Sequence, residues 1–312
     1  MTKRRVVVLG KNRLAVECLR ALVDAGDEVI LAVADPSDDG RDGWQPSFRA
    51  AAEHVGVRVV SPPRLNEDTF VDSVEREQPD FLLSFQAGQL LRNRLLATAR
   101  VAALNLHFGP LPRYRGVAPI AWALINGEST TGVTIHHISA GIDSGDVVAS
   151  ASVPIDREET GRTLYDKCTD AGVLLFRSAW PRIRMGEVAA EPQAEEEALY
   201  YNRYSIDFSR RRIRWNADVA VIANRARAFI FPPFQFPTIG VGDTEFEVTA
   251  LEWDRRPHAA RPGQVLEVQG DSVVVAAPGG RLRIGPLRIG DSQVAGGQLT
   301  EAGLVEGSII DS

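Results

Sequence analysis

The sequence predicts an α/β fold: a Rossmann-like, mostly parallel sheet with helices on both faces, followed by a small C-terminal β-barrel domain of the OB type. Two observations lead to this prediction. In the first half, short and near-continuously apolar runs alternate with segments whose apolar residues recur at helical spacing, as in βαβ units. Towards the C-terminus, strand-like runs follow one another closely and are separated by glycine turns, as in small barrels.

The helices and strands of the first half can be assigned in order. An apolar run ending at Gly10 predicts the first strand, and the segment that follows places Leu14, Cys18 and Leu22 on one helical face. The same alternation predicts strands over residues 27–35, 57–63 and 79–85, and helices over residues 46–56, 66–78 and 89–100. Such apolar strands, separated by helices, are typical of a parallel sheet that is covered on both faces.

The turn after the first strand does not have the pattern of a nucleotide-binding loop. Gly10 lies between a predicted strand and a predicted helix, but the second and third glycines of GxGxxG are missing and GxxxxGK[ST] is absent. Without these glycines the backbone cannot approach a pyrophosphate closely. The sequence therefore argues against a bound dinucleotide at this position.

Changes in composition divide the chain into three predicted parts. Residues 1–188 form the α/β domain, residues 189–207 form a polar and acidic linker, and residues 208–312 form the C-terminal β domain. Within the last part, strand-like runs cover residues 243–253, 263–289 and 307–311.

Composition and charge narrow the classes of function. A hydrophobic fraction of 44% is typical of globular proteins, and no apolar run approaches the roughly 18 residues that a membrane helix needs. The apolar run after the basic start is too short for a signal peptide, so we expect a cytoplasmic protein with no membrane partner. A net charge of -6 argues against broad nucleic-acid binding but allows a small anionic ligand held by a few arginines. Cys18 and Cys168 lie outside any CxxC or Cys/His cluster, which predicts buried thiols and no metal site.

A pair of polar residues ends the apolar run of residues 101–104. In "NLHFGPLPRYRG", Asn105 and His107 are two residues apart and would share one face of a strand, at the edge where open α/β sheets bind ligands. After a predicted helix, a strand over residues 133–138 leads into the loop "SAGIDSGD", whose glycines can bring Asp143 back to that edge. The three side chains can therefore converge.

Such a trio suits acyl transfer. An amide N–H and an imidazolium can both donate to a developing oxyanion, and a nearby carboxylate orients the imidazole and favours its protonated form. Because no GxSxG motif is present, the nucleophile would be an amine of the substrate. Taken singly, Asn105 and His107 also fit hydrogen-bonding roles at a strand end, and Asp143 fits a turn.

The segment "LNLHFGPLPRYRGVAPIAWALINGESTTGVTIHHISAGIDSGDVV" resembles the signature of the 10-formyltetrahydrofolate-dependent formyltransferases. The resemblance implies an N-formyltransferase that takes its formyl group from 10-formyltetrahydrofolate without a metal, and it makes Asn105, His107 and Asp143 the catalytic trio. "RPGQVLEV" and "GLVEGSIID" near the C-terminus resemble the barrel of the larger members, so the likeness covers nearly the whole chain.

The resemblance also implies where the formyl donor binds. In this family the pterin lies between the loop after the fourth strand and the loop that carries the aspartate. Those two loops contain the predicted donor-binding residues Phe85, Gly88, Leu90, Ser139 and Ile142.

The acceptor is predicted to be a nucleotide-linked amino sugar, since the resemblance is closest to the N-formyltransferases that act on such sugars. The loop over residues 35–47 is acidic where the similar methionyl-tRNA formyltransferases carry a basic loop. Arg113 and Arg115 could clamp a nucleotide diphosphate and Tyr114 could stack on a base or sugar, although a purely loop-stabilising role fits them as well. Gly109 and Pro110 depart from the usual Ser-Leu of the family, which keeps methionyl-tRNA and other small-molecule amines open as acceptors. Sugar-modifying members are often dimers, so a homodimer is a further expectation.

A second basic stretch, "SRRRIRW" over residues 209–215, lies in the predicted β domain. Strand alternation would place Arg210, Arg212 and Arg214 on one face. This face is either a phosphate-binding patch or an ordinary solvated side of the barrel.

Overall fold

The computed structural model describes residues 3–187 and 189–311, which form two compact units. The first unit runs to Pro119 and includes Thr131–Val153 and Asp166–Asn202, and the second comprises Ile120–Thr130, Pro154–Tyr165 and the residues from Arg203 on. The predicted boundary after residue 188 lies outside the described residues, and the three-part division of the chain stays a prediction.

The elements of the first half alternate as the sequence predicts. Its strands are β1 (Arg5–Gly10), β2 (Glu28–Ala34), β3 (Val59–Val60), β4 (Phe81–Phe85), β5 (Ala102–His107), β6 (Arg115–Gly116), β7 (Thr130–His137), β8 (Val147–Pro154) and β9 (Tyr200–Tyr201). Its helices are α1 (Asn12–Asp24), α2 (Phe48–His54), α3 (Asp68–Glu77), α4 (Asn93–Leu96), α5 (Pro119–Ile125) and α6 (Gly161–Ile183). No helix in the described part of the chain has the length and apolar character needed to cross a bilayer.

A seven-stranded sheet in the order β3-β2-β1-β4-β5-β7-β8 forms the centre of the first unit. Strands β1 to β5 pair in parallel, whereas β7 pairs with β5 in the antiparallel direction, so the predicted mostly parallel sheet is confirmed. The central strands β1 and β4 are buried along almost their whole length, which explains their continuous apolar sequences. Gly10 is a packing requirement here, because a Cβ at this position would lie 2.5 Å from the Cβ of Ala15 in α1.

Two predicted elements are shorter in the structure. The helix predicted over residues 89–100 is reduced to α4, because Gln89 and Leu90 are hydrogen-bonded instead to the loop before α3. The Gln89 side chain accepts from the backbone N–H of Leu65 at 3.1 Å, and the amide of Asn66 donates to the carbonyl of Leu90 at 2.8 Å. The strand predicted over residues 57–63 pairs with the sheet only at Val59 and Val60.

The second unit contains the predicted small β domain. It is formed by α7 (Val219–Phe229), β10 (Thr238–Val241), β11 (Thr244–Val248), β12 (Leu251–Asp254), β13 (Val265–Gln269), β14 (Ser272–Ala277), β15 (Gly280–Ile284), β16 (Leu287–Ile289), β17 (Ser292–Val294) and α8 (Gly297–Glu301). Two four-stranded antiparallel sheets, β10-β11-β16-β17 and β12-β15-β14-β13, enclose an apolar cluster with Trp215, Phe246 and Leu282 among its members.

Candidate active site

Asn105 and His107, the predicted polar pair, lie on β5 between β4 and β7. Asn105 lies opposite Ser84 of β4 on one side and His136 of β7 on the other, and His107 lies opposite Thr134. The Nδ2 atom of Asn105 is 3.1 Å from Nε2 of His136. The antiparallel pairing of β7 therefore adds a second histidine beside the predicted pair.

The loop after β7 turns Asp143 towards these residues. Asp143 has a φ of 49°, and the side-chain amide of Gln193 donates to the carbonyls of Asp143 at 2.9 Å and of Gly145 at 2.6 Å. The backbone N–H of Gly116 donates to the Oδ2 atom of Asp143 at 2.8 Å. Gly145 must be a glycine because the loop passes so close to the carbonyl of His137 that a Cβ would overlap it.

The carboxylate of Asp143 lies between two imidazoles. Its Oδ2 atom is 3.5 Å from Nδ1 of His107, and its Oδ1 atom is 3.5 Å from Nε2 of His136. The structure thus brings Asn105, His107 and Asp143 together and adds His136, for which the sequence predicts no role in the site. The alternation of residues 133–138 contains the signal for His136, but only once β7 is known to pair with β5.

The hydrogen bonds of His136 fix the amide of Asn105. Nδ1 of His136 donates to the carbonyl of His137 at 2.8 Å, since a carbonyl can only accept. In the neutral ring Nε2 must then accept, so the NH₂ group of Asn105, and not its carbonyl oxygen, faces His136. One N–H of Asn105 is used in this contact, and the other remains for a ligand.

His107 lies between two acceptors. Its Nε2 donates to the carbonyl of Tyr114 at 2.8 Å, and its Nδ1 faces Asp143. Burial lowers the pKa of His107, while the charge of Asp143 and the carbonyl of Tyr114 oppose that shift. The net direction is downward, so the ring is mostly neutral at neutral pH. The protonated ground state expected from the sequence is not favoured, because burial outweighs the nearby carboxylate.

Asp143 stays ionised in the same surroundings. Burial by itself would raise the pKa of its carboxyl, but the charge of His107, the nearby ring of His136 and the N–H of Gly116 together lower it to about 2. A fixed negative charge therefore lies beside the two imidazoles.

A cavity of about 600 Å³ opens on this group, and its lining includes Asn105, His136 and Asp143. Three of the five predicted donor-binding residues, Leu90, Ser139 and Ile142, also line it. The other two do not. Phe85 is 2% exposed and packs edge-on against Phe176 in the core, and Gly88 lies beside Asp35 outside the lining.

The predicted acceptor-binding residues have different environments. Arg113 is exposed, and its guanidinium lies 5.3 Å from the ring centre of Tyr114. Tyr114 is 1% exposed and stacks on Tyr201, with ring centres 5.8 Å apart. Arg115 is 7% exposed, and its guanidinium donates to the Gln193 side chain and to the carboxylate of Glu195. Tyr114 and Arg115 are therefore engaged within the protein, and an acceptor role for either of them stays a prediction.

Comparison with known proteins places this geometry in a family. The sequence model of the formyl transferase family matches residues 4–179, and that of the formyl transferase C-terminal domain matches residues 205–301. Across residues 3–187 and 189–311, no group of three or more histidine, cysteine or acidic side chains is arranged to hold a metal ion.

Individual relatives differ in their acceptors. A methionyl-tRNA formyltransferase of Citrifermentans bemidjiense is 29% identical over 290 residues, which cover 92% of this chain and 89% of the relative. An N-formyltransferase of Helicobacter canadensis, solved with folinic acid and dTDP-3-aminofucose, superposes with a TM-score of 0.76 at 21% identity and covers 92% of this chain and 100% of that one. WlaRD, a sugar 3N-formyltransferase solved with dTDP and 5-N-formyl-THF, also reaches 0.76 at 22% identity, covering 91% of this chain and 98% of its own. At these identities the two structures establish a shared fold.

Proposed function

The chain belongs to the formyl transferase family, and we therefore propose that it moves the formyl group of 10-formyltetrahydrofolate to the primary amine of a nucleotide-linked amino sugar. One observation carries the proposal: Asn105, His136 and Asp143 line a single cavity, and His107 contacts the same carboxylate. An amide donor beside a carboxylate and a neutral imidazole suits the transfer of an acyl group to an amine.

The reaction begins when the unprotonated amine attacks the formyl carbon and an oxyanion develops on the formyl oxygen. The N–H of Asn105 that His136 does not use donates to this oxyanion. One such donor is worth about 3 kcal/mol in related acyl transfers. Asn105 therefore stabilises the transition state more than it stabilises the bound substrates.

The proton lost by the amine passes to the Asp143–His107 pair. Asp143 accepts it first, because its carboxylate lines the cavity, and hands it to Nδ1 of His107. The imidazolium formed in this way lies between Asp143 and the carbonyl of Tyr114, two acceptors that offset the cost of its burial. As the intermediate collapses, the bond from the formyl carbon to N10 breaks, the proton held by His107 returns through Asp143 to N10, and tetrahydrofolate leaves.

The cavity of about 600 Å³ is assigned to the formyl donor in this proposal. Its size is within the usual range for small-molecule sites. Leu90 and Ile142 supply exposed apolar surface at its edge, suited to a pterin face, and Ser139 supplies a hydroxyl. Folate derivatives bound to both similar sugar N-formyltransferases support the assignment.

An amino sugar is favoured as acceptor by the two solved relatives, which were crystallised with dTDP-3-aminofucose or dTDP. The acidic loop over residues 35–47, with four aspartates and one arginine, would repel a nucleic acid. Methionyl-tRNA is the second candidate, because the methionyl-tRNA formyltransferase of Citrifermentans bemidjiense matches nearly the whole chain. A homodimer and a cytoplasmic location remain predictions.

An acceptor panel separates these candidates. The purified chain is incubated with 10-formyltetrahydrofolate and, in parallel, with dTDP- and UDP-linked amino sugars or with methionyl-tRNA, and mass spectrometry detects the added formyl group. We expect formylation of an amino sugar and none of methionyl-tRNA. Formylation of methionyl-tRNA alone would overturn the proposed acceptor, and tetrahydrofolate release without any acceptor would indicate a hydrolase.

A further inference from the structure

The second unit has its own cavity, of about 470 Å³, which the proposed reaction does not use. One wall is the segment over residues 209–217, which pairs with the start of β10 through the N–H of Ile213 and the carbonyl of Thr238, 2.8 Å apart. Ile213 and Trp215 are buried in the core, so Arg212 and Arg214 are turned outward. The opposite wall is one face of α7.

The lining of this cavity is strongly cationic. It contains one acidic residue, Glu245, and five arginines: Arg210, Arg211, Arg212, Arg214 and Arg225. Asp207, Glu247 and Glu245 pair with the first three arginines at 3.2 to 3.6 Å. Among residues 3–187 and 189–311, Arg214 and Arg225 have no carboxylate within ion-pair distance. These two arginines thus lack a direct ion-pair partner in a protein whose net charge is -6.

The guanidinium of Arg225 is held by two contacts and is repelled by the charge of Arg214. Its guanidinium lies 4.8 Å from the ring centre of Phe229, and its Nη2 donates to the carbonyl of Arg210 at 3.4 Å. Burial lowers the pKa of Arg225, the charge of Arg214 lowers it further, and Asp207 opposes the shift. A bound anion would relieve this repulsion, and the fixed guanidinium offers it a preformed donor.

Apart from Arg225, the part of α7 that lines the cavity is apolar. Ile222, Ala226 and Phe229 of α7 and Pro237 lie beneath the cavity and are buried, and Val221, which is 55% exposed, supplies the accessible apolar surface. A ligand that fits both parts has an anionic end and an apolar or planar body. A volume of about 470 Å³ matches a small molecule, since such sites span about 300 to 1,000 Å³.

We propose that this cavity is a second binding site, which takes a small organic phosphate with at least two negative charges. The phosphates lie on Arg214 and Arg225, and the body lies against Val221. A polynucleotide fits this site less well. It needs an extended stripe of positive charge along the protein surface, whereas here the positive charge is confined to one pocket of a protein with a net negative charge. The site is independent of the proposed reaction, since none of its residues belongs to the catalytic group.

Calorimetry on the full chain tests the site, with ADP and inorganic pyrophosphate as probes. We expect saturable binding that weakens with added salt, with ADP the tighter ligand because pyrophosphate has no body to place on the apolar wall. The variant Arg214→Gln/Arg225→Gln should raise the Kd of ADP roughly tenfold or more. The matched control Arg256→Gln/Arg261→Gln removes two exposed charges from the same unit and should leave the Kd unchanged.

Several results would overturn the site. An unchanged Kd of ADP in Arg214→Gln/Arg225→Gln would mean that ADP binds elsewhere. An absence of saturable ADP binding to the wild-type chain would refute the site altogether. Binding of a hairpin RNA that depends on Arg214 and Arg225, without ADP binding, would assign the pocket to a polynucleotide instead. Should the double variant not fold, Arg225→Lys keeps the charge but loses the planar fork, and an ADP affinity below that of the wild type supports the site.

Discussion

At the scale of single residues, His136 decides which atoms Asn105 presents to the cavity. Its Nδ1 is committed to the carbonyl of His137, so its Nε2 accepts from Asn105 and holds the amide in one of its two orientations. A flipped amide would direct a carbonyl oxygen against His136 and remove the donor from the oxyanion. His136 is thus a positioning residue that acts through Asn105.

A double-mutant cycle tests this dependence. Asn105→Ala should lower kcat about a hundredfold or more, and His136→Ala roughly tenfold, with the acceptor KM nearly unchanged in both. Because His136 acts through Asn105, the double variant should be no slower than Asn105→Ala alone. His137→Ala is the matched control, since His137 neighbours His136 in sequence but points to the other face of β7. Additive losses in the cycle would contradict the positioning role.

The surroundings of His107 also determine its pKa. Burial keeps its pKa below 6.5, and Asp143 is the strongest influence in the opposite direction. Replacing the carboxylate by an amide in Asp143→Asn removes that influence, so the pKa of His107 should fall further. NMR titration of the imidazole C–H signals, assigned with a His107→Gln variant, measures the midpoint directly. His137 serves as the reference. Burial also lowers its pKa, but the opposing charge there is that of Asp146, so its titration midpoint should be the same in Asp143→Asn. A rise of the His107 midpoint in Asp143→Asn would refute the electrostatic picture.

At the scale of elements, a hydrogen-bonded clamp formed by Gln193, Arg115 and Glu195 holds the loop that carries Asp143. Gln193 binds the carbonyls of Asp143 and Gly145, and its own side-chain oxygen accepts from Arg115, which in turn donates to Glu195. The short strands β6 and β9 pair in parallel directly beside these residues. The segment after α6 is therefore a structural part of the site.

Removing the clamp should loosen the loop without changing any catalytic group. In Gln193→Ala the two carbonyls lose their donor, at a local cost of about 1 to 3 kcal/mol. We expect faster hydrogen exchange over residues 139–146 and a lower kcat. Glu196→Ala, an exposed residue of the same segment that makes none of these contacts, should behave as the wild type. Equal exchange in the two variants would show that the loop does not depend on Gln193.

The limits of prediction from the sequence also lie at the scale of elements. The alternation of apolar runs and helices was sufficient for the parallel sheet, and the spacing of Asn105 and His107 with the glycines around Asp143 was sufficient for the trio. The partnership with His136 was missed because it depends on β7 pairing antiparallel to β5, and no local pattern encodes that direction. Tyr114 and Arg115 looked available for a ligand because their partners, Tyr201 and Gln193, lie 87 and 78 positions later in the chain.

At the scale of the whole molecule, charge separates the two candidate acceptors. The chain has 41 acidic and 35 basic residues, and the loop over residues 35–47 adds local negative charge. A diphosphate-linked sugar presents few charges, which local donors can neutralise. A tRNA presents a long polyanion, which a net negative surface repels over the length of the contact.

The salt dependence of the reaction should reflect this difference. Each phosphate that a protein neutralises adds about 0.9 to the slope of log affinity against log salt, so a diphosphate contributes a slope of at most about 2, and a tRNA contact several times that. We expect kcat/KM for the accepted substrate to fall only modestly between about 50 and 200 mM KCl. The same titration with an uncharged primary amine at high concentration controls for effects of salt on the folate and on the catalytic group. A steep slope with the natural acceptor and a flat one with the uncharged amine would instead mean that the chain neutralises a polyanion despite its net charge, and methionyl-tRNA would become the favoured acceptor.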